Sequence, residues 1–348
     1  MKAVSVSSAA ISNAMRYSQT RMQVDLVKAQ KEMDTGSVAD LGLALGARTS
    51  QSITFHRDMD RLNGIVDSNG LVASRLSSTQ NALGQLADVA TNLMSSLTTA
   101  VSGDMSSSTA RDSGAAALQS MLSMLNTSVN GEYLFAGINT DTKPMGDFSA
   151  GSAAKNAFDA AFSSYFGFSQ NDPQAANITG ADMEAFLNSP AMTDQFTGSG
   201  WANWSNATDE TITSRIALNE TSRTSVSANT AGIQKLAMAA AMVSDLFGSN
   251  IGDEAKKAVA KKAMSLAGEA SAAITGVQAQ TGIIQKRVSD ATDRMKKQVD
   301  LFDRHILDLE GVDPYEAANR VNDLMTHIQT SYALTARIQQ LSLLKFLT

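Results

Sequence analysis

The chain has 348 residues, 43% apolar and 18% charged, with 28 Lys and Arg against 34 Asp and Glu for a net charge of -6. Such a chain is too apolar for intrinsic disorder, and its mild acidity argues against nucleic acid as a partner. With no cysteine and three histidines, it excludes disulfides and thiolate chemistry and leaves little for a histidine-based site.

Aromatic residues make up 5% and prolines number four, a composition for long uninterrupted helices that approach over small side chains. The opening residues lack the apolar run of a cleavable secretory signal, and no apolar stretch nears the ~20 residues of a membrane span. The first predicted element is an amphipathic helix with Ile11, Met15, Ser18, Met22, Leu26, Ala29 and Met33 on one face.

A heptad seam follows. Leu62, Ile65, Asn69, Val72, Leu76, Thr79, Leu83, Leu86, Ala90, Leu93, Leu97 and Ala100 alternate in steps of three and four, the a/d pattern of a long helical rod. Asn69 and Thr79 are polar seam positions of the kind that fix register. Ala110–Asn130 reads as a further helix.

From about residue 139 the character changes. Residues 139–212 hold both tryptophans, most phenylalanines and Pro144, Pro173 and Pro190, and are predicted to form a small α+β insert. Phe148, Phe158, Phe162, Tyr165, Phe166, Phe168, Phe186, Phe196, Trp201 and Trp204 supply its expected core. Glu210–Ile216 and Arg223–Ser227 look like short strands leading back.

A second seam runs through Ala270, Ile274, Val277, Thr281, Ile284, Val288, Ala291, Met295, Gln298, Phe302, His305 and Leu309. His305 falls inside it and is read as a helix residue, not a catalytic base, and His56 and His327 have no partner constellation. At Gly311–Glu316 the chain breaks and restarts: Asp313 suits an N-cap, Pro314 the first helical position, and Glu316 has capping-box spacing. The last helix carries Val321, Leu324, Ile328, Leu334, Ile338, Leu341, Leu344 and Leu347 on its apolar face.

Both terminal segments are nearly free of charge off that face, so one chain alone would leave apolar surface exposed, the mark of an assembly partner. The expected fold class is mainly α: long antiparallel, coiled-coil-like rods built from N- and C-terminal segments, carrying a small α+β insert. The expected division is 1–45, an N-terminal assembly helix disordered in the monomer; 46–138 and 213–310, the two halves of the rod; 139–212, the insert; and 311–348, the C-terminal assembly helix. No catalytic, cofactor or metal site is expected. Asp182 with Glu184, or Asp209 with Glu210, are carboxylate pairs too ordinary to nominate an enzyme.

Four stretches carry a resemblance. Asn130-Gly131-Glu132-Tyr133-Leu134-Phe135-Ala136-Gly137, with Tyr133, Leu134, Phe135 and Gly137 as its marks, is similar to a signature of the flagellin superfamily. The same holds for the closing run Ile338–Leu347, for Glu316–Val321, and for Lys31–Gly36 where the first helix turns back. Within that superfamily the closing Lys345-Phe346-Leu347-Thr348 resembles the hook–filament junction branch, the type 3 hook-associated proteins. The pattern departs after Gly36, where Ser37–Leu43 replace an Asp/Pro-rich loop. The likeness covers about residues 1–140 and 220–348.

The resemblance implies a structural adaptor, not an enzyme: a ring joining the hook, through the first hook-associated protein, to the flagellin filament. It implies passage through the flagellar type III route with an export chaperone and an uncleaved N-terminal signal, to an extracellular place in the flagellum. Subunit contacts are expected from Ile11, Met15, Met22, Leu26 and Met33 at one end and Val321, Leu324, Ile328, Ile338, Leu341, Leu344 and Leu347 at the other. The alternatives are a minor flagellin of the filament itself and a secreted coiled-coil adhesin or translocator.

Overall fold

A computed structural model describes residues 8–101 and 106–347, with the side chains of 8–9 and 338–347 outside the description. The described residues fall into two units: Ile65–Arg294, and the residues up to Gly64 together with those from Met295 on. Two helices supply both units, α3 (Thr49–Val101) and α9 (Asp253–Glu310), of 53 and 58 residues.

Within the Ile65–Arg294 unit, α3 and α9 run antiparallel. Asn69 meets Thr292, Gln80 the carbonyl of Gln278, and Thr91 the hydroxyl of Ser271. Every residue of the first predicted seam is buried or half-buried, with Leu76, Leu83, Leu86, Ala90 and Leu97 at 1% exposure or less. The polar seam residues have found partners. Asn69, 1% exposed, donates to the Ile216 carbonyl at 2.9 Å and to Thr292 Oγ1 at 3.0 Å. Thr79 and Thr281 instead turn back onto their own helices, bonding the Arg75 and Val277 carbonyls. Asn69 is thus the residue that fixes α9 and a neighbouring hairpin against α3, since a slip of register would leave its amide nitrogen buried and unpaired, as its Oδ1 already is.

The second seam holds in full to Met295, and beyond it only Phe302 and Leu309 of its residues stay half-buried. Gln298 and His305 are exposed, whereas Val299, Ile306 and Glu310 are half or fully buried. From Val288 the positions 288, 291, 295, 299, 302, 306 and 310 are sheltered, a set that repeats every eleven residues, and Thr292 and Leu309 are half-buried beside it. On a straight helix a strict heptad drifts about 20° per repeat, and an eleven-residue repeat drifts about as far in the opposite sense.

Helix α4 (Ser107–Leu125), capped by Ser106 Oγ on Thr109 N at 3.3 Å, ends five residues before the predicted Asn130. Strands β1 (Ser128–Val129) and β2 (Glu132–Tyr133) pair across Asn130-Gly131, both at positive φ, 55° and 85°. Asn-Gly is the sequence that accepts this pair of conformations in a two-residue hairpin turn, so the turn ends the helix. The second hairpin, β3 (Thr213–Ala217) with β4 (Glu220–Arg223), places the return strand earlier than Arg223–Ser227. Its Ile216 is fully buried in a small cluster with Leu76, Val288 and Ala291.

The strands therefore border the middle segment, which is itself built of short helices: α5 (Ala153–Phe166), α6 (Gly180–Asn188), α7 (Pro190–Thr193) and two 3-10 turns. Phe158, Phe162, Phe186, Phe196 and Trp204 are buried, joined by edge-on and stacked contacts such as Phe148 on Trp204 at 5.0 Å. They belong to one continuous apolar core with α3, α4, α9 and α8 (Ala231–Leu246). Tyr165 is the exception: it is 43% exposed and does not serve the core. Helix α5 is tied to α8 by Lys155, which lies between Asp159 and Asp245, while Gln170 donates to both carboxylates at 2.6 and 2.9 Å. Burial would lower the Lys155 pKa, but its bonds to the two carboxylates raise it; burial holds Asp245 above the ordinary aspartate value in spite of the lysine.

Small side chains set the α4–α8 approach, as the composition implies. A Cβ on buried Gly114 would lie 2.7 Å from Ser244 N and 2.8 Å from Val243 Cβ, inside van der Waals contact. Helix propensity favours alanine there by about 1 kcal/mol, while overpacking costs about 1–3 kcal/mol. Gly114→Ala is expected to lower the thermal midpoint read by circular dichroism. A raised midpoint would show that α4 and α8 move apart freely.

Candidate assembly surface

In the other unit, α1 (Ser8–Thr35) pairs with α10 (Pro314–Leu347). Gln19 Nε2 reaches Ser331 and Thr335, Gln23 Nε2 donates to Tyr332 Oη at 2.8 Å, and Glu32 meets Arg320 at 2.9 Å. Falling numbers on α1 meet rising numbers on α10, so the pair is antiparallel. Between these bonds Met15, Met22, Leu26 and Ala29 on α1 and Ala317, Val321, Leu324 and Ile328 on α10 are half or fully buried.

The turns at one end of the pair are clasped. α1 stops at Gly36, at φ 65°, whose N–H donates to the Glu32 carbonyl at 2.9 Å, the left-handed glycine cap of a helix C-terminus. Val38 N then donates to Glu310 O, and Val312 N to Gly36 O, both at 2.8 Å, bridging Ser37 to Gly311. Asp40 caps the short helix α2 (Leu41–Leu45). Asp313 accepts from Tyr315 N at 2.8 Å and starts α10 as expected, but Glu316 turns outward to Arg320 instead of closing a capping box.

Under this clasp lies a polar group that the sequence did not reveal. Glu310, 7% exposed, accepts from Ser52 Oγ and bonds His56 Nε2 at 2.9 Å. His56 therefore does have partners, 254 positions away in the chain, and the spacing within α3 alone held no sign of them. Beside His56 in the chain, the Phe55 ring stacks on Phe302 at 5.6 Å and on His305 at 5.4 Å. His305 is a surface ring lying on an aromatic neighbour, and His327 is exposed.

The twelve residues predicted at subunit contacts fall into three groups. Met15, Met22, Leu26, Val321, Leu324 and Ile328 lie on the α1–α10 pairing face. Ile11 and Met33 are each 37% exposed at its margin. Ile338, Leu341, Leu344 and Leu347 continue the backbone of α10, and their side chains lie outside the described residues.

A second stripe lies outside the predicted face. Tyr17, Val24 and Val27 are 75%, 51% and 64% exposed on α1. At 100° per residue they stand roughly opposite the Met15–Met22–Leu26 line. α10 likewise exposes Met325 and Leu334 off the pairing face. A helix apolar on two opposite faces is one that is covered on both; the signal was legible as a second seven-residue step from Tyr17 to Val24.

The residues of the Tyr133–Gly137 stretch form a junction in the Ile65–Arg294 unit. Leu134 and Phe135 are buried. Ala228 N donates to the Phe135 carbonyl at 2.8 Å, Thr208 N to the Ala136 carbonyl at 3.1 Å, and Ile138 N to Thr208 Oγ1 at 2.9 Å. The outgoing chain is thereby stitched to both returning passes, 207–210 and 227–229. Gly137 sits at φ 70° hard against Thr208.

Among the described residues no helix is long and apolar enough to cross a membrane. Comparison with curated proteins finds no match. Two family models do match: the bacterial flagellin N-terminal helical region over residues 6–140, and the bacterial flagellin C-terminal helical region over 264–347. They span well over half of the chain and take in both ends of the α1–α10 pair, α3, and most of α9. With the paired terminal helices and the stitched Tyr133–Gly137 junction, they establish that the chain belongs to the flagellin superfamily.

Proposed function

We propose that this structural protein of the bacterial flagellum is the adaptor ring between hook and filament, seated on the first hook-associated protein and receiving flagellin above. Family membership makes it a self-assembling extracellular component. The junction role draws its support from the closing Lys345-Phe346-Leu347-Thr348 and from the two-faced α1, whose pairing face is satisfied within the chain while Tyr17, Val24 and Val27 remain for a neighbour. The latter observation carries the reading. Export by the type III route with a chaperone, and pairing of α1 with α10 only after export, belong to the same proposal; such late folding would keep the apolar faces from associating early.

Deletion of the gene tests it, with flagellin immunoblotted in the medium and on the cells. The expected result is intact hooks without filaments and flagellin monomer released into the medium. The matched models are those of flagellin itself, which favours a minor flagellin as the second reading. In that case deletion leaves filaments of altered composition. Normal filaments and normal swimming would overturn both.

A further inference from the structure

Neither family model reaches the middle segment, between residues 140 and 264. There the exposed Tyr165 opens a groove of about 380 Å³, within the range of small-molecule sites. Its apolar floor is made by Tyr165, Phe166 and Phe168, with ring centroids 5.0 Å apart for the first pair and 6.1 Å for the second. Tyr165 meets Phe166 edge to face at 72° and Phe168 lies at 30° to Phe166, so the rings pack into one apolar wall and leave no gap to enclose a cation between them. Tyr165 also leans on the buried Phe186 at 5.2 Å, which fixes its position.

The rim is polar and unspent. Gln174 and Asn177 line the groove, and among the described residues neither side-chain amide has a hydrogen-bond partner. Asp182 lends one carboxylate oxygen to Thr179 at 2.7 Å and keeps the other free. These groups are held in place: Asp172 caps the 3-10 turn Pro173–Asn177 through Gln174 N at 2.9 Å, and Thr179 caps α6 through Asp182 N at 3.1 Å.

We propose that this groove binds a neutral pyranose ring. The electron-rich face of an aromatic ring complements the electropositive C–H face of a sugar. Amide and carboxylate groups at the rim match hydroxyls, which donate and accept at once. Charge narrows the ligand further. Residues 139–212 contain nine acidic side chains against two basic ones, so phosphorylated, sulfated and uronic sugars are repelled.

The test is saturation-transfer NMR on the full chain with cellobiose, chitobiose, maltose and lactose, and co-sedimentation with cellulose and chitin. The expected result is transfer to ring C–H protons of at least one disaccharide, with Kd on the order of 1 mM. Tyr165→Ala should weaken binding by about tenfold or more, and Tyr165→Phe should stay within about twofold, because the exposed ring supplies the contact. Asn177→Ala, at an exposed position, should weaken it severalfold without changing the thermal midpoint. Binding of disaccharides identifies a free-sugar site; retention on the polysaccharides alone identifies a glycan-chain site, and either supports the proposal. No transfer at about 10 mM of any sugar and no sedimentation, binding indifferent to Tyr165→Ala, or tetramethylammonium binding in place of the sugars would overturn it.

Discussion

Gly137→Ala is expected to cost about 3–5 kcal/mol of folding free energy. An L-residue in the left-handed region carries about 1–2 kcal/mol of steric strain. The added Cβ would also collide with Thr208 Oγ1, the Thr208 carbonyl and, at 2.7 Å, the Glu210 carbonyl. All three neighbours are backbone or tied to backbone, so relief requires giving up the bonds that stitch Ala136 and Ile138 to Thr208, at about 0.5–1.5 kcal/mol each. Gly131→Ala is the internal control. Its φ of 85° carries the same kind of strain, but nothing lies within 4 Å of the new Cβ, so a loss of only about 1–2 kcal/mol is expected. Thermal melts of the two variants separate the accounts: Gly137→Ala should drop the midpoint by at least about 6 °C. Equal midpoints would mean that close packing at the crossing contributes nothing and that the glycine is there for its φ alone.

That comparison also explains what the Tyr133–Gly137 signature is for. Leu134 and Phe135 anchor the strand end in the core, and Gly137 lets two returning passes of chain lie directly against it. The motif is visible in the sequence, but its reason is not, because Thr208 and Ala228 are about seventy and ninety positions away. The same limit governs the other differences. The first seam was legible to the residue because a heptad is a local pattern whose burial follows from one helix. The second was legible in full only as far as Met295 and in part, at Phe302 and Leu309, beyond it, since two spacings, seven and eleven, are nearly indistinguishable over a few turns, and exposure of Gln298 and His305 is what separates them. His56 on Glu310 joins positions 254 apart, and no spacing rule reaches that far. Asn130-Gly131 was a local signal overlooked: hairpin chemistry in two residues outweighed the helical periodicity of the preceding twenty. On α1 the Met15–Met22–Leu26 line is the stronger apolar signal, and only a partner already seated on it shows that Tyr17, Val24 and Val27 are unused.

The double substitution Val24→Asp with Val27→Asp is expected to abolish assembly while leaving the single folded chain intact. Both valines are more than half exposed and lie off the α10 face, so the folded chain loses no packing and gains two solvated carboxylates. In the assembly the same positions would be covered. Each loses about 1.5 kcal/mol of apolar burial, and each leaves a carboxylate either buried without a partner, at several kcal/mol, or holding the interface open. For two sites per subunit this raises the concentration needed to assemble by more than about 100-fold. Tyr17 is left unchanged because the flagellin resemblance places an export signal near the N-terminus, and a failure to export would imitate a failure to assemble. In cells the variant should appear as soluble chain in the medium, with hooks bare of filaments. The purified variant should keep the parent's thermal midpoint. Leu26→Ala, on the inner line against α10, should behave in the opposite way, with faster amide exchange along α1 and α10 in the isolated chain. If the double variant assembles and supports filaments at the parent's level, the outer stripe is not a subunit contact. The two-faced reading of α1, on which the junction proposal rests, would then fall with it.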